Sequence, residues 1–254
     1  MNTKYLKYAI GEITLVVAGI LIALALNNWN EHRVEVKKEK VYLQGLRRDL
    51  TNQLKEADIH ESRELSYVKA SKKLISNYNE LGRFQVGDQF DKDVGSLVNR
   101  KTFVRSDPTY AELIASGNID LIRNNVLKDE IVQYYQFLER VETVITSNNA
   151  NFIDDKFRNG VYSLSRFTMI ETVKSALSPD NLQTDNELVN GLTDINNPKL
   201  LEVTQQLLSL PENELRFANL LQFRNTQATI HAFYMQQVRT RTNNLIAKID
   251  AQLP

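Results

Sequence analysis

Apolar residues recur along this chain at steps of three and four over long distances, and no segment shows the strict period of two that marks a half-buried strand. Leu43, Leu46, Leu50, Leu54, Ala57, Leu65, Val68, Ile75 and Tyr78 form one such stripe, predicting a helix over residues 30–81. A second stripe, Leu127, Ile131, Tyr134, Leu138, Val141, Ile145 and Phe152, predicts a helix over residues 125–156. A third, Leu220, Phe223, Ile230, Tyr234, Val238, Leu245 and Ile249, predicts one over residues 212–253. Stripes of this length must cover one another. The expected fold class is therefore all-α, an N-terminal transmembrane helix continuing into an elongated antiparallel helical bundle that occupies residues 29–254.

Between the long helices the punctuation is local. Gly82 and Gly87 are expected to end the first helix and to open an irregular stretch through Thr102. "SDPTYAEL" reads as a helix start, with Asp107 as cap, Pro108 in the first turn and Glu112 supporting it; "ASGN" stops that helix at Gly117. Glu112, Ser116, Gly117 and Asn118 are thus expected to form a packed corner before Ile119, Leu121 and Ile122. From Arg158 to Pro211 the prolines 179, 198 and 211 divide short helices expected near Met169–Leu177, Asp185–Thr193 and Pro198–Leu208.

The apolar run at the N-terminus decides the compartment. Ile13–Leu26 alone spans only ~21 Å at 1.5 Å per residue, and Lys4, Lys7 and the Ala23-Leu24-Ala25 triplet fit a cleavable signal peptide. Counted over residues 9–28, after a short tail of residues 1–8, the segment is about twenty residues long and spans a bilayer. Tyr8 and Glu12 then lie at one interface, where a carboxylate reaches the headgroups, and Trp29 lies at the other. Gly11, Ala18 and Ala25 recur every seventh residue and Gly19 pairs with Ala23, small-residue spacings that suit helix association in lipid. The anchor is the preferred reading. Arg33, Lys37, Lys38 and Lys40 follow the span, but interleaved Glu31, Glu35 and Glu39 leave only a modest positive surplus for lipid contact.

"YAIGEITLVVAGILIALALNNWNE" resembles the N-terminal signature of a family of uncharacterised single-pass membrane proteins of Bacteroidota, and "TYAELIASGNIDLIRNNVLKDEIVQYY" is similar to an internal segment of it. The resemblance implies an inner-membrane anchor and a helical body, and no active site. Relatives carry a longer basic tail before the span than this chain has. That tail favours an inside N-terminus and a periplasmic body, whereas a strict count of positive charges around the span favours a cytoplasmic one.

Composition narrows the chemistry. Of the 254 residues, 42% are hydrophobic and 24% charged, and 31 basic side chains balance 31 acidic ones, which argues against nucleic acid as a partner. The absence of cysteine removes thiolate metal sites and cysteine nucleophiles. Glu56, His60 and Glu64 fall at four-residue steps that could supply metal ligands, but they are expected to be part of a solvated charged face. His32 and His231, the latter near Gln227, have no sequence-adjacent partner that would make them base or ligand. No phosphate loop, dinucleotide fingerprint, nucleophile elbow or zincin motif is present. No catalytic residue, cofactor or metal is expected. The remaining partners are the lipid bilayer and either a second copy of the chain or another membrane protein. The expected function is an anchored scaffold or interaction module; the alternative is a ligand-sensing bundle that signals through a membrane partner.

Overall fold

A computed structural model describes residues 3–170, 173–174, 187–195 and 197–253, except the side chains of residues 3–10, 188 and 189. All regular structure among the described residues is helical: α1 Thr3–Leu81, α2 Asp88–Val98, α3 Pro108–Ala115, a 3₁₀ turn Asn118–Leu121, α4 Asn125–Asn148, a π-helical segment Asn149–Arg158, α5 Asn159–Leu164, α6 Glu187–Asn190, α7 Pro198–Leu208 and α8 Pro211–Asp250. The all-α expectation holds. The helix expected near Met169–Leu177 lies mostly outside the described residues, and Pro179 lies outside them.

Two compact units divide the chain. The first comprises Met1–Leu50, Asp107–Gln133 and Leu245–Pro254; the second comprises Thr51–Ser106 and Tyr134–Asn244.

In the first unit the stripe Leu43, Leu46 and Leu50 is buried as the sequence predicts, as are Leu127, Ile131, Leu245 and Ile249; Leu113 and Ile122 are buried as well. The N-terminus of α3 is held differently from the expectation. Asp107 occupies the cap position but makes no side-chain cap bond. The carboxylate of buried Asp49 on α1 instead accepts the Thr109 backbone N–H at 2.8 Å. A donor otherwise orphaned at the helix start is thereby satisfied from a neighbouring helix. Glu39 similarly accepts both the backbone N–H and the Nε–H of Arg123, at 2.9 and 2.6 Å.

In the second unit α1 and α8 run antiparallel. Ser71 bonds Asn225 at 3.0 Å, while ten residues earlier Glu61 accepts from Gln236 at 2.9 Å and pairs with Arg239 at 2.9 Å. Their lower end is packed with Tyr67, Leu74, Phe84, Phe90, Leu97, Phe157, Val161 and Phe217. Phe84 stands edge-on to Phe217 at 5.0 Å, a favourable aromatic geometry. Buried Asp91 on α2 pairs with Arg166 at 2.7 Å and its carbonyl accepts the Thr168 N–H, which fastens the segment after α5 onto α2.

Three expectations need correction here. Residues 88–98 are helical, not irregular: Phe90, Val94, Leu97 and Val98 supply a short buried face. The helix starting at Asn125 does not run on as a regular α-helix to residue 156. From Asn149 it widens into a π-helical segment, so the buried positions go Ile145, Asn149, Ile153, Phe157, Val161 at steps of four, and Phe152 turns outward. The stripes on α1 and α8 also part from the true buried faces. Leu65 and Ile230 are exposed, and in their stead the buried positions are Gln53, His60, Glu64, Tyr67 and Ser71 on α1 and Arg224, Gln227, His231 and Thr242 on α8.

Candidate functional site

The polar stretches of the two faces lie opposite one another. His60, Glu64, Arg224 and His231 are each only 1% exposed, so the solvated charged face expected for His60 and Glu64 is overturned. Four-residue spacing did put them on one helix face, and that face points inward. Glu56, the third member of the pattern, is half-exposed and pairs with Lys101 at 3.4 Å.

Glu64 is the hub. Its Oε1 lies 3.3 Å from His60 Nε2 and 3.6 Å from His231 Nδ1, while its Oε2 lies 3.8 Å from Arg224 Nη1. Arg224 is fixed by three further contacts. Its Nε and Nη2 donate to the carbonyls of Leu97 and Asn99, each at 3.0 Å, and its guanidinium stacks 4.4 Å from the Tyr67 ring centre. Behind the histidines stand Asn148, whose carboxamide nitrogen lies 3.2 Å from His231 Nε2, and Phe103, edge-on to His60 at 6.1 Å. Asn148 is the last residue before the π-helical segment. Such segments are frequent at functional sites because they re-aim side chains.

Burial is the largest influence on Glu64 and by itself would raise its pKa; the imidazoles of His231 and His60 and the charge of Arg224 outweigh it and hold the carboxyl at about 2. Burial also lowers the Arg224 pKa and raises that of Tyr67. The cluster therefore holds a carboxylate between a fixed guanidinium and two imidazoles. Neither ring nitrogen of His60 makes a hydrogen bond of good geometry, nor does His231 Nδ1 or Glu64 Oε2. The sequence does carry a signal for this: between residues 53 and 71 the helical period continues from Leu50 only if polar residues are admitted to it.

The other expected site residues lie apart from this cluster. In the first unit the Tyr42 hydroxyl donates to Glu112 at 3.3 Å and accepts from Asn118 at 2.9 Å, and Ser116 donates back to the Glu112 carbonyl at 2.7 Å. Gly117 has φ 69°, the left-handed conformation that suits glycine and ends α3. These four residues form a hydrogen-bonded turn after α3 in which Glu112, Ser116 and Gly117 are exposed, while Leu113 beside them is buried. Among the described residues one helix, α1, contains a segment long and apolar enough to cross a membrane, and none of that segment is buried. Glu12, Gly11, Ala18, Gly19, Ala23 and Ala25 are exposed on it, as is Trp29, whose ring lies 5.8 Å from the Arg33 guanidinium. The side chain of Tyr8 lies outside the described residues. At about 100° per residue Gly11, Ala18 and Ala25 share a narrow face, and Gly19 with Ala23 lies a quarter to a third of a turn away.

No curated protein and no solved structure matches the chain. The family comparison does find a match, and it takes in the apolar segment, both Glu64 and His60, and the Glu112–Asn118 corner, ending before α8. Over residues 12–199 the sequence matches the family of unknown function DUF6090, and the chain belongs to that family.

Proposed function

We propose that this chain is a membrane-tethered sensor at the bacterial inner membrane, with its helical body on the periplasmic side and the cluster around Glu64 as its sensing element. The observation that carries this reading is the burial of a glutamate, an arginine and two histidines between α1 and α8, where apolar stripes would otherwise meet. An apolar replacement of a buried ion pair is often neutral or stabilising, so stability alone is a weak reason for such a centre. The separations of 3.3–3.8 Å leave room for an ion or a proton, not for an organic molecule. His60 and Glu64 belong to the same helix, α1, as the apolar segment, and the reading requires that a change at the centre alter what that segment touches. The scaffold reading has its own support in an apolar surface groove of about 520 Å³ in the second unit, lined in part by Phe152, Leu215, Leu220 and Phe223.

One experiment separates the two. The chain has no native cysteine, so Ile22→Cys in the exposed apolar segment gives a single crosslinking position in native membranes. Sensing predicts that Glu64→Gln changes the crosslinked species. A Glu64→Gln chain that remains protease-resistant and gives unchanged crosslinks overturns sensing and leaves the scaffold.

A further inference from the structure

His60 Nε2, His231 Nδ1 and one carboxylate oxygen of Glu64 all lie within 4.8 Å of one another, and all three residues are buried. From this convergence we infer that His60, Glu64 and His231 bind a divalent first-row transition-metal ion, with zinc the best fit to two imidazoles and one carboxylate. The inference rests on the sensing reading and names its ligand.

The distances from Glu64 to the two imidazoles suit the ion. Zinc bonds of 2.0–2.2 Å in tetrahedral geometry place neighbouring ligand atoms ~3.4 Å apart. The His60–Glu64 and His231–Glu64 separations are 3.3 and 3.6 Å. These are long for hydrogen bonds to a buried carboxylate and fit two edges of a coordination tetrahedron; the three ligand atoms lie within 4.8 Å of one another, so the two imidazoles close toward each other on loading. Three protein ligands leave a fourth position open, the pattern of sites that exchange water or ligand, not of closed structural sites.

The orphaned atoms point the same way. His60 is 1% exposed, yet neither of its ring nitrogens makes a hydrogen bond of good geometry, and His231 Nδ1 makes none; the nitrogens that face Glu64 meet only the same oxygen, at 3.3 and 3.6 Å. One oxygen shared at these distances repays the lost hydration of two buried ring nitrogens only in part. An ion drawn between the two imidazoles and Oε1 would satisfy both ring nitrogens that face Glu64 at once, once the rings have closed on it.

The surroundings supply orientation. Arg224 faces Oε2 and is tied to two backbone carbonyls, so Oε1 is left to the imidazoles. Asn148 meets His231 at Nε2. With its carboxamide oxygen turned to that nitrogen, an isosteric rotation, Nε2–H donates and Nδ1 keeps its lone pair for the metal. The charge of Arg224 opposes the ion. The affinity expected is accordingly below that of a closed structural zinc site, as suits an ion that comes and goes.

The test uses the full-length chain in detergent, purified without a polyhistidine tag, stripped with chelator and reloaded with Zn²⁺ or Co²⁺. One ion per chain is expected, with the visible d–d bands of tetrahedral Co²⁺ and a rise in melting temperature of about 5 °C at a hundredfold excess over Kd. His231→Asn should lower affinity at least ~100-fold and Asn148→Leu ~10-fold. His32→Asn, which removes the one histidine outside the centre, should bind as the parent does. Should His231→Asn fail to fold, the Co²⁺ spectrum of the unaltered chain decides. No uptake by that chain, uptake with an octahedral aquo-type spectrum, or undiminished uptake by a folded His231→Asn chain overturns the metal assignment. Such a failure leaves the sensing reading to the crosslinking experiment, which needs no metal.

Discussion

At the scale of single residues, Glu64 carries a pH dependence whose sign is fixed by its surroundings. Its carboxyl titrates at about 2 in the folded chain against 4.5 when solvated, so below pH 5 the unfolded chain binds more protons than the folded one. The stabilisation is complete above the unfolded value and is lost as pH falls from about 5 toward 2. Its size is on the order of 3 kcal/mol, since each tenfold difference in proton affinity between the two states is worth about 1.4 kcal/mol. Denaturant unfolding of the metal-free chain should therefore show a gap between the parent and Glu64→Gln that is wide at pH 6 and narrows toward pH 2. Parallel profiles would mean that the neighbours of Glu64 do not hold it ionised.

At the scale of elements, close approach matters more than propensity. Gly95 sits inside α2, where alanine would ordinarily stabilise by about 1 kcal/mol. A Cβ there would lie 1.7 Å from the Thr168 carbonyl oxygen, on the segment that Asp91 fastens to the same helix. Backbone cannot yield as a side-chain tip can. Gly95→Ala is expected to destabilise by about 1–3 kcal/mol, against its propensity, and thermal unfolding followed by circular dichroism measures this directly. The elements also show what was legible. Long helices were readable because glycine and proline are few and the period holds, and the α3 corner was readable from Pro108 and Gly117. Three things were not. The eleven residues of α2 offer too short a period beside Gly87 and Gly95 to stand out. The π-helical segment changes the period itself, which moves Phe152 out and Ile153 in. The buried centre is hidden because apolarity is the mark of burial in a sequence, and by that mark Leu65 belongs inside and His60 and Glu64 outside. Only the pairing of α1 with α8, residues separated by more than 150 positions, brings His231 to Glu64.

At the scale of the whole molecule, the proposed tether predicts a helical body on the periplasmic side. Charge counting around the span and the tendency of large domains to translocate regardless of charge point in opposite directions. The chain itself offers a clean measurement, because it lacks cysteine. Ser66 is an exposed position of α1 in the second unit, its hydroxyl bonded to the Arg63 carbonyl one turn back, so Ser66→Cys perturbs little. A membrane-impermeant maleimide added to cells with a permeabilised outer membrane should label Ser66→Cys fully before lysis, and the labelled chain should stay with the membrane through a carbonate wash. Labelling that appears only after lysis would put the body in the cytoplasm. A labelled chain that washes free and begins near Leu26 would instead mean that the apolar segment is a cleaved leader. The centre around Glu64 would then need a route to its target other than α1.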